Sequence, residues 1–530
     1  MHRGLHIPEV VELICAAAAS STLAALARTC QTFQPPALAV LWETQSELTN
    51  LLKCLPSDAW ETYQSPPNSY IVGFRFRRPI AASDLTRLLF YAEKVKTLFI
   101  EHQVSFSWSV YAALSLALPV YPLLPNLRHL TILTWQPTEH AAPHIRMLVG
   151  HKLRSLVFNL QGGPELVPGH ILPYLTAFHP ELTSLHINPV VFGTQSTTAI
   201  TESMYLTIRS MKHLQDLNVG TLDGPTISYL ATLPHFHSLE VGIFPELLND
   251  YKTKLAATEP AFPALRQFTT VSRSFPSICS FMEMIGSDVF TELTLSFDSE
   301  PSIETHSWQI FDTLISQRFS KSLKKFIIDE HNSFEHDIPD SLDRMIPKDA
   351  FHPLLACSHL EDVVIQTMHG ILIDNDFVEK IAVAWPQLRQ LNLSPMGQSV
   401  EYIPSVTMTG LVPLAEHCRY LTSLTIVFDA TVLDAHAKEK PGAGIHSESL
   451  VELDVVESPI SSPTAVASFL SAIFPNLRTI TSRDGAIRNM AVEDWQDDVE
   501  KWHSVNDTIQ VFVSARAQEH HLPTCPPAEL

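Results

Sequence analysis

Long apolar runs, glycine, basic clusters and paired cysteines are all scarce in this 530-residue chain, and each scarcity removes a class of protein. A membrane-spanning helix needs about 20 consecutive apolar residues. The most apolar stretch here, Tyr111 to Leu124, is broken by Pro119 and Pro122, so no partnership with a membrane is expected. Leu13-Ile-Cys-Ala-Ala-Ala-Ala19 is apolar, but Glu9 and Glu12 precede it where a secretory leader carries basic residues, and it does not read as one. The seven cysteines (Cys15, Cys30, Cys54, Cys279, Cys357, Cys418 and Cys525) are odd in number, widely spaced and free of any C-x-x-C pair. They read as reduced thiols of a cytoplasmic or nuclear protein. Under that reading the sequons at Asn392 and Asn506 are unused. Lys and Arg number 35 against 56 Asp and Glu, a net charge of −21 with no basic run. That balance speaks against a nucleic-acid partner.

Signatures of catalysis are missing as well. The chain has no G-x-x-x-x-G-K-[ST] loop, no G-x-G-x-x-G, no H-E-x-x-H and no G-x-S-x-G, so nothing points to an enzyme or a cofactor. Of the 25 histidines, the closest groupings are His235-Phe-His237, His331 with His336, and His520-His521. None has the spacing of a zinc site, and no metal is expected. Asp374-Asn375-Asp376 lacks the glycine and terminal glutamate of a calcium loop and is better read as the cap of a helix running from Phe377.

What the chain does have is a recurring cassette. An apolar residue is followed three and five positions later by two more, in cassettes opening at Ile71, Val95, Leu127, Leu153, Leu182, Leu214, Phe236, Leu265, Phe290, Leu323, Leu360, Leu388, Leu421, Leu450 and Leu477. The mean spacing is 29 residues, from 22 between Leu214 and Phe236 to 37 between Leu323 and Leu360. Leu127-Arg-His-Leu130-Thr-Ile132 and Leu388-Arg-Gln-Leu391-Asn-Leu393 are the clearest copies. This is the strand signature of a leucine-rich repeat. Side chains alternate along a strand, so the fourth and sixth cassette residues enter the core together. Of the 45 inward positions, 43 are apolar, Thr270 and Ser482 being the exceptions. Amphipathic stretches between cassettes (Asp84 to Val95, Ile200 to Met211, Ile278 to Ile285, Ser307 to Phe319, Phe377 to Trp385, Thr464 to Phe474) supply the returning helices. Prolines such as Pro234, Pro386 and Pro475 stand just before cassettes and end them.

The fold class is therefore α/β, an irregular leucine-rich-repeat solenoid of about 15 strand cassettes over residues 70–485. A small helical module, residues 5–56, precedes it, and a capping helix and tail, residues 486–530, follow it. Third, fifth and seventh cassette residues share the face opposite the core. There they place Arg75 and Arg77, then an acid-leaning series of Asp216, Asn218, Glu240, Asp329, Asp362, Asn392 and Asp454. A substrate or other protein partner is expected on that concave face, by charge complementarity.

The amino-terminal module reads as three short helices. Ile7-Pro8-Glu9 opens the first, with Pro8 in its first turn and Val10, Leu13 and Ile14 on one face. Ser20 or Ser21 is placed to cap the second, which carries Leu23 and Leu26, and a third follows Pro35-Pro36 and ends near Leu41-Trp42. In these elements the chain resembles the F-box family: Ile7-Pro8-Glu9 matches the opening Leu-Pro-x-Glu, Ile14 its buried aliphatic, Leu23 and Leu26 the middle helix, and Leu41-Trp42 the closing pair. With the repeats behind it, the order is that of fungal F-box/leucine-rich-repeat proteins. The resemblance implies that Ile7, Pro8, Val10, Ile14, Leu23, Leu26 and Trp42 bind a Skp-type adaptor and, through it, a cullin ligase. Two alternatives stand beside it: helices that only cap the array, and a repeat scaffold with no role in ubiquitin ligation.

Overall fold

The computed structural model describes residues 5, 7–64, 72–100, 104–106, 108–118, 122–134, 147–160, 181–189, 198–255, 260–272, 274–297, 313–330, 345–367, 371–395, 404–432, 441–483 and 493–521. The chain divides into two compact units, Met1–Val241 and Gly242–Leu530. Ile71, His331 and His336 lie outside the described residues.

The first unit opens with α1 (Pro8–Ala16), α2 (Ser20–Leu26) and α3 (Gln34–Glu43). Its strands are β1 (Thr44–Gln45), β2 (Trp60–Gln64), β3 (Val72–Phe76), β4 (Thr97–Ile100), β5 (Val104–Phe106) and β6 (His129–Thr134). They continue through β7 (Ser155–Leu160), β8 (Ser184–Pro189), β9 (Asp216–Val219) and β10 (Ser238–Val241). Seven of these form one parallel ladder in the order β1-β4-β6-β7-β8-β9-β10. Leu98, Leu130, Leu156, Leu185, Leu217 and Leu239, each the fourth residue of its cassette, pair directly with one another from strand to strand. Pairing without offset puts like positions on top of each other, so the apolar residues make a continuous row.

The second unit repeats the scheme in β11 (Gln267–Ser272), β12 (Glu292–Phe297), β13 (Lys325–Glu330), β14 (Ile346–Pro347), β15 (Asp362–Gln366) and β16 (Ile371–Leu372). It ends with β17 (Gln390–Leu393), β18 (Ser423–Ile426), β19 (Glu452–Asp454) and β20 (Thr479–Thr481). Here β11-β12-β13-β15-β17-β18-β19-β20 are parallel neighbours, and β14 pairs with β16 apart from them. Phe268, Leu293, Phe326, Val363, Leu391, Leu424, Leu453 and Ile480 form the row. Across the fourteen cassettes from Val95 onward, every inward residue is buried except Ile100 and Ser482. Thr270 is buried completely, although the nearest acceptor for its hydroxyl is 3.5 Å away. A second ladder of backbone bonds runs beside the row. Within each unit, carbonyls of successive second cassette residues accept two N–H groups from the next coil, as Arg128 O does from Arg154 and Ser155 (2.8 and 2.9 Å), and Glu361 O from Arg389 and Gln390 (2.6 and 3.2 Å).

Helices return between strands where the periodicity places them: Thr86–Ala92, Thr198–Ser210, Phe275–Met282, Asn375–Ala384 and Pro463–Ile473, with residues 313–319 helical as well. Asp374 caps the fourth by accepting from Phe377 N at 3.0 Å. Pro386 and Pro475 follow Trp385 and Phe474, whose ψ of 64° and 76° leaves the helical range as pre-proline residues do.

Three local expectations are corrected. The strand of the Ile71 cassette, β3, pairs antiparallel with β2 and parallel with β5 in a separate three-stranded sheet. Arg75 and Arg77 are held there by Glu61 at 2.5 and 2.7 Å, not on the repeat face. Their place at the head of the ladder is taken by β1, whose register runs through Gln45 to Leu98. The second helix starts at Ser20, so Ala19 occupies the cap and neither serine provides a side-chain bond.

Both ends of the rows are closed with polar side chains. Gln45, buried, donates Nε2 to Thr44 O at 2.9 Å, and its Oε1 accepts from Asn50 at 3.2 Å. At the other end the helix Glu493–His521 covers β20 with Trp502, Val505 and Ile509 buried beneath it. Asn506 accepts the Ile480 N–H at 2.9 Å, Gln510 donates to Arg478 O, and Trp502 Nε1 donates to Ser458 O at 2.7 Å. Backbone groups that an edge strand leaves unpaired are thereby satisfied.

If the stacked row carries the stability, Leu391→Ala costs about 2–5 kcal/mol, while Thr270→Val, which removes a poorly partnered buried hydroxyl, destabilises by less than about 1 kcal/mol. Urea unfolding of the full chain followed by circular dichroism separates the two; equal losses contradict the row.

Candidate functional site

Two surfaces carry the residues singled out from the sequence. The first is the amino-terminal module. Its core consists of Val11 and Cys15 from α1, Leu23 from α2, and Phe33 and Ala37 at the start of α3, with Leu26, Val40 and Leu41 packed around them. Val11 and Cys15, one turn apart, are the inward face of α1. The face containing Val10, Leu13 and Ile14 is thus the outer one, and Ile14, matched above to a buried aliphatic, is 38% exposed. Leu13 is 71% and Ile7 48% exposed. In Pro8-Glu-Val-Val-Glu-Leu-Ile-Cys-Ala16 apolar residues occur nearly all round the helix, so either stripe meets the periodicity and only packing chooses between them. Pro8 stands at the first helical position.

The other residues assigned to docking fall elsewhere. Leu23 is buried in the module core and Leu26 is packed against it. The Trp42 indole stacks on Tyr91 of the first return helix, ring centroids 4.4 Å apart and 20° from parallel. Trp42 also stands two residues before β1, and Glu43 O accepts the Lys96 N–H at 2.8 Å, so Trp42 to Glu47 occupy the place of a cassette. Polar residues at its fourth and sixth positions, Gln45 and Glu47, hid it from the apolar pattern. The structure therefore gathers Ile7, Val10, Leu13 and Ile14 on one solvent-facing surface, gives Leu23 to the module core and holds Trp42 half-buried against Tyr91. Leu13 shares this surface although the docking set taken from the resemblance does not include it.

The second surface is the sheet face opposite the buried rows, considered separately in each unit. In the first unit, Ser184, Asp216 and Ser238 are paired across β8, β9 and β10, as are His186, Asn218 and Glu240. Burial pushes the Asp216 carboxyl up, against the pull of His186 and His237. It pushes His186 down, with Asp216 acting the other way, and it raises Glu240, opposed by a hydrogen bond from Asn218. These groups form a half-buried polar strip three strands wide. His235 and His237 flank the buried Phe236, and both are at least partly open to solvent.

In the second unit Asp329 pairs with Gln366, Asp362 with Lys325 and Gln390, and Asn392 with Val364 and Thr425. Asp454 lies further on, accepting the Val456 N–H at 2.8 Å. Burial raises both Asp362 and Asp454; Lys325 opposes it at the first, and the Val456 N–H and then Arg483 at the second. Asn392 Oδ1 is engaged by Ser394 N at 3.1 Å. The four residues are spread over β13, β15, β17 and β19 rather than gathered at one point. Among the described residues, no group of three or more His, Cys, Asp or Glu could hold a metal ion, and no helix is long and apolar enough to cross a membrane.

No protein-family model matches the chain, and no curated protein does. Solved structures similar to it include an internalin from Listeria monocytogenes, at 14% identity, with 76% of this chain and 89% of that chain covered and a TM-score of 0.33. The Rad7 and Elc1 complex from yeast is similar at 13% identity, 67% and 84% coverage and a TM-score of 0.39. The leucine-rich repeat domain of APL1B is similar at 11% identity, 78% and 86% coverage and a TM-score of 0.24. The leucine-rich-repeat fold of this chain is shown by its own strand register.

A carboxyl raised by burial binds its proton more firmly in the folded state, so the stability it contributes is full at low pH and is lost as pH rises through its folded-state range. Glu240→Gln should therefore stabilise the chain at neutral pH, with the gain shrinking to nothing as pH falls below the ordinary glutamate value of 4.5. Unfolding midpoints measured from pH 4 to 8 that show a constant difference would contradict the burial of this carboxyl.

Proposed function

We propose that this chain is a non-catalytic recognition subunit of a Skp/cullin/F-box ubiquitin ligase. In this reading residues 5–56 dock on the Skp-type adaptor, residues 70–485 bind a substrate protein through the polar sheet face, and residues 486–530 close the last repeat. Ubiquitin transfer is carried out by other subunits. The observation that carries the reading is the outer stripe of α1: Ile7, Leu13 and Ile14 remain 48, 71 and 38% exposed although the same helix buries Val11 and Cys15. Neighbouring large apolar side chains left in water mark a surface that another molecule covers. Their position in a three-helix module ahead of leucine-rich repeats is where F-box proteins carry their adaptor contact.

The competing reading, a repeat scaffold whose first helices only cap the array, is favoured by the pairing of β1 with β4 and by the Trp42 stack on Tyr91. Capping accounts for the inner face of the module and leaves the outer one without a use. Deleting the module does not separate the two, because Gln45 would leave with it and uncover Leu98.

Point variants do separate them. Leu13→Glu with Ile14→Glu changes only solvent-facing side chains, so the unfolding midpoint should stay within a few degrees while capture of a co-expressed Skp-type adaptor falls at least about tenfold. Adaptor capture equal to that of the unaltered chain rejects docking through α1.

A further inference from the structure

Residues at equivalent cassette positions stand one strand apart, about 4.8 Å, so the column formed by the second cassette residue shows how each unit handles stacked charge. In the second unit that column runs Arg266, Thr291, Lys324, Glu361, Arg389, Thr422, Val451 and Arg478, and its three consecutive charges alternate in sign. Glu361 sits between Lys324 and Arg389, and its two oxygens meet their nitrogens at 2.7 and 3.2 Å. In the first unit the column reads Glu43, Lys96, Arg128, Arg154, Thr183, Gln215 and His237, with three cations in succession after the opening glutamate. Beside it, two residues earlier in each coil, stand Lys94, Asn126 and Lys152. Three adjacent coils of a chain with net charge −21 therefore concentrate five cations.

The outer members of the first column are neutralised from outside the three coils: Lys96 pairs with Glu43 at 3.0 Å, and Arg154 with Glu181. Arg128 between them has no carboxylate partner among the described residues and is exposed. In front of it lies a cavity of about 340 Å³ lined by Lys94, Lys96, Arg128, Lys152, Asn126 and Glu93. Asn126 fixes one wall, donating Nδ2 to Glu93 O and accepting from Lys152 Nζ, both at 2.6 Å. Lys94 Nζ is held 4.4 Å from the centre of the Phe90 ring. Like charges stacked across strands repel. An anion entering the cavity relieves that repulsion, and a guanidinium presents the fork that matches tetrahedral phosphate oxygens.

We infer that the hollow formed by Lys94, Lys96, Arg128 and Lys152 on the first three full repeats is a binding site for a single phosphomonoester group, with Arg128 as its central ligand. The patch spans three strands, wide enough for one phosphate group with its immediate neighbours. The acidic remainder of the molecule disfavours a longer polyanion. The site is independent of the adaptor reading, because it lies on repeats β4, β6 and β7 and uses no residue of the α1 stripe.

The test is binding of inorganic phosphate, and of a short phosphoserine peptide with neutral flanks, to the full chain at constant ionic strength, with chloride as the reference anion. The site predicts a saturable rise in thermal midpoint with phosphate. Arg128→Gln should weaken binding roughly tenfold to a hundredfold while leaving the midpoint without phosphate unchanged. Lys324→Gln, which removes a cation already paired with Glu361, should leave phosphate binding as it is. Tighter binding of the peptide than of inorganic phosphate assigns the group to a modified protein; equal binding assigns it to a small soluble phosphate. Chloride acting as well as phosphate, or Arg128→Gln binding as the unaltered chain does, overturns the site.

Discussion

Parallel pairing without offset is the constraint on which everything else in this molecule depends. Because Leu130 faces Leu156 and Leu156 faces Leu185, whatever occupies a cassette position is stacked on its own kind. On the inner face this yields rows of leucine, isoleucine and phenylalanine whose burial from water holds successive coils together. On the outer face and along the loop edge it yields columns of polar and charged groups, where repetition of one sign is costly and alternation is favourable. Lys324, Glu361 and Arg389 are the alternating solution; Lys96, Arg128 and Arg154 are a repeated sign, and that contrast is what isolates the cavity in front of Arg128.

A row must also stop. At its first strand, β1, Gln45 takes the place of a leucine and turns its amide onto neighbouring backbone and Asn50. At β20 the final helix supplies Asn506 and Gln510 to the edge and buries Trp502. Asn506 cannot serve as a glycan acceptor while its side chain holds the Ile480 N–H. The third amino-terminal helix joins this closure through Trp42 and Glu43, while the three helices pack their inner faces on one another and leave Ile7, Val10, Leu13 and Ile14 on the outside.

How much of this was legible in the sequence follows from the range of each interaction. Fourteen strands could be read because three apolar positions within six residues are set locally, and the row then selects the same register each time. The strand of the Ile71 cassette has the same pattern, but its partner is β2, fourteen residues back from Arg75 to Glu61, and a cassette contains no information about which sheet will take it. The Trp42 cassette was hidden for the opposite reason: an end position has no preceding coil to exclude water, so polar Gln45 and Glu47 suit it. On α1, two apolar stripes met the helical period equally, and the choice of Val11 with Cys15 came from contact with Leu23, Phe33 and Ala37. Strand alternation alone puts Asp216, Asn218 and Glu240 on adjacent strands of one face, and the register does so. That burial would raise their carboxyls was not legible, since it depends on the strands to either side.

The functional account rests on one division of labour within α1, an inner stripe, Val11 and Cys15, that packs the module core and an outer stripe proposed to meet a partner. Amide hydrogen exchange of the full chain, alone and with a recombinant Skp-type adaptor, addresses it without altering any residue. The account predicts slower exchange over residues 7–17 in the complex, with the amides of β6 to β9 unchanged. Unaltered exchange over residues 7–17 at saturating adaptor would contradict it.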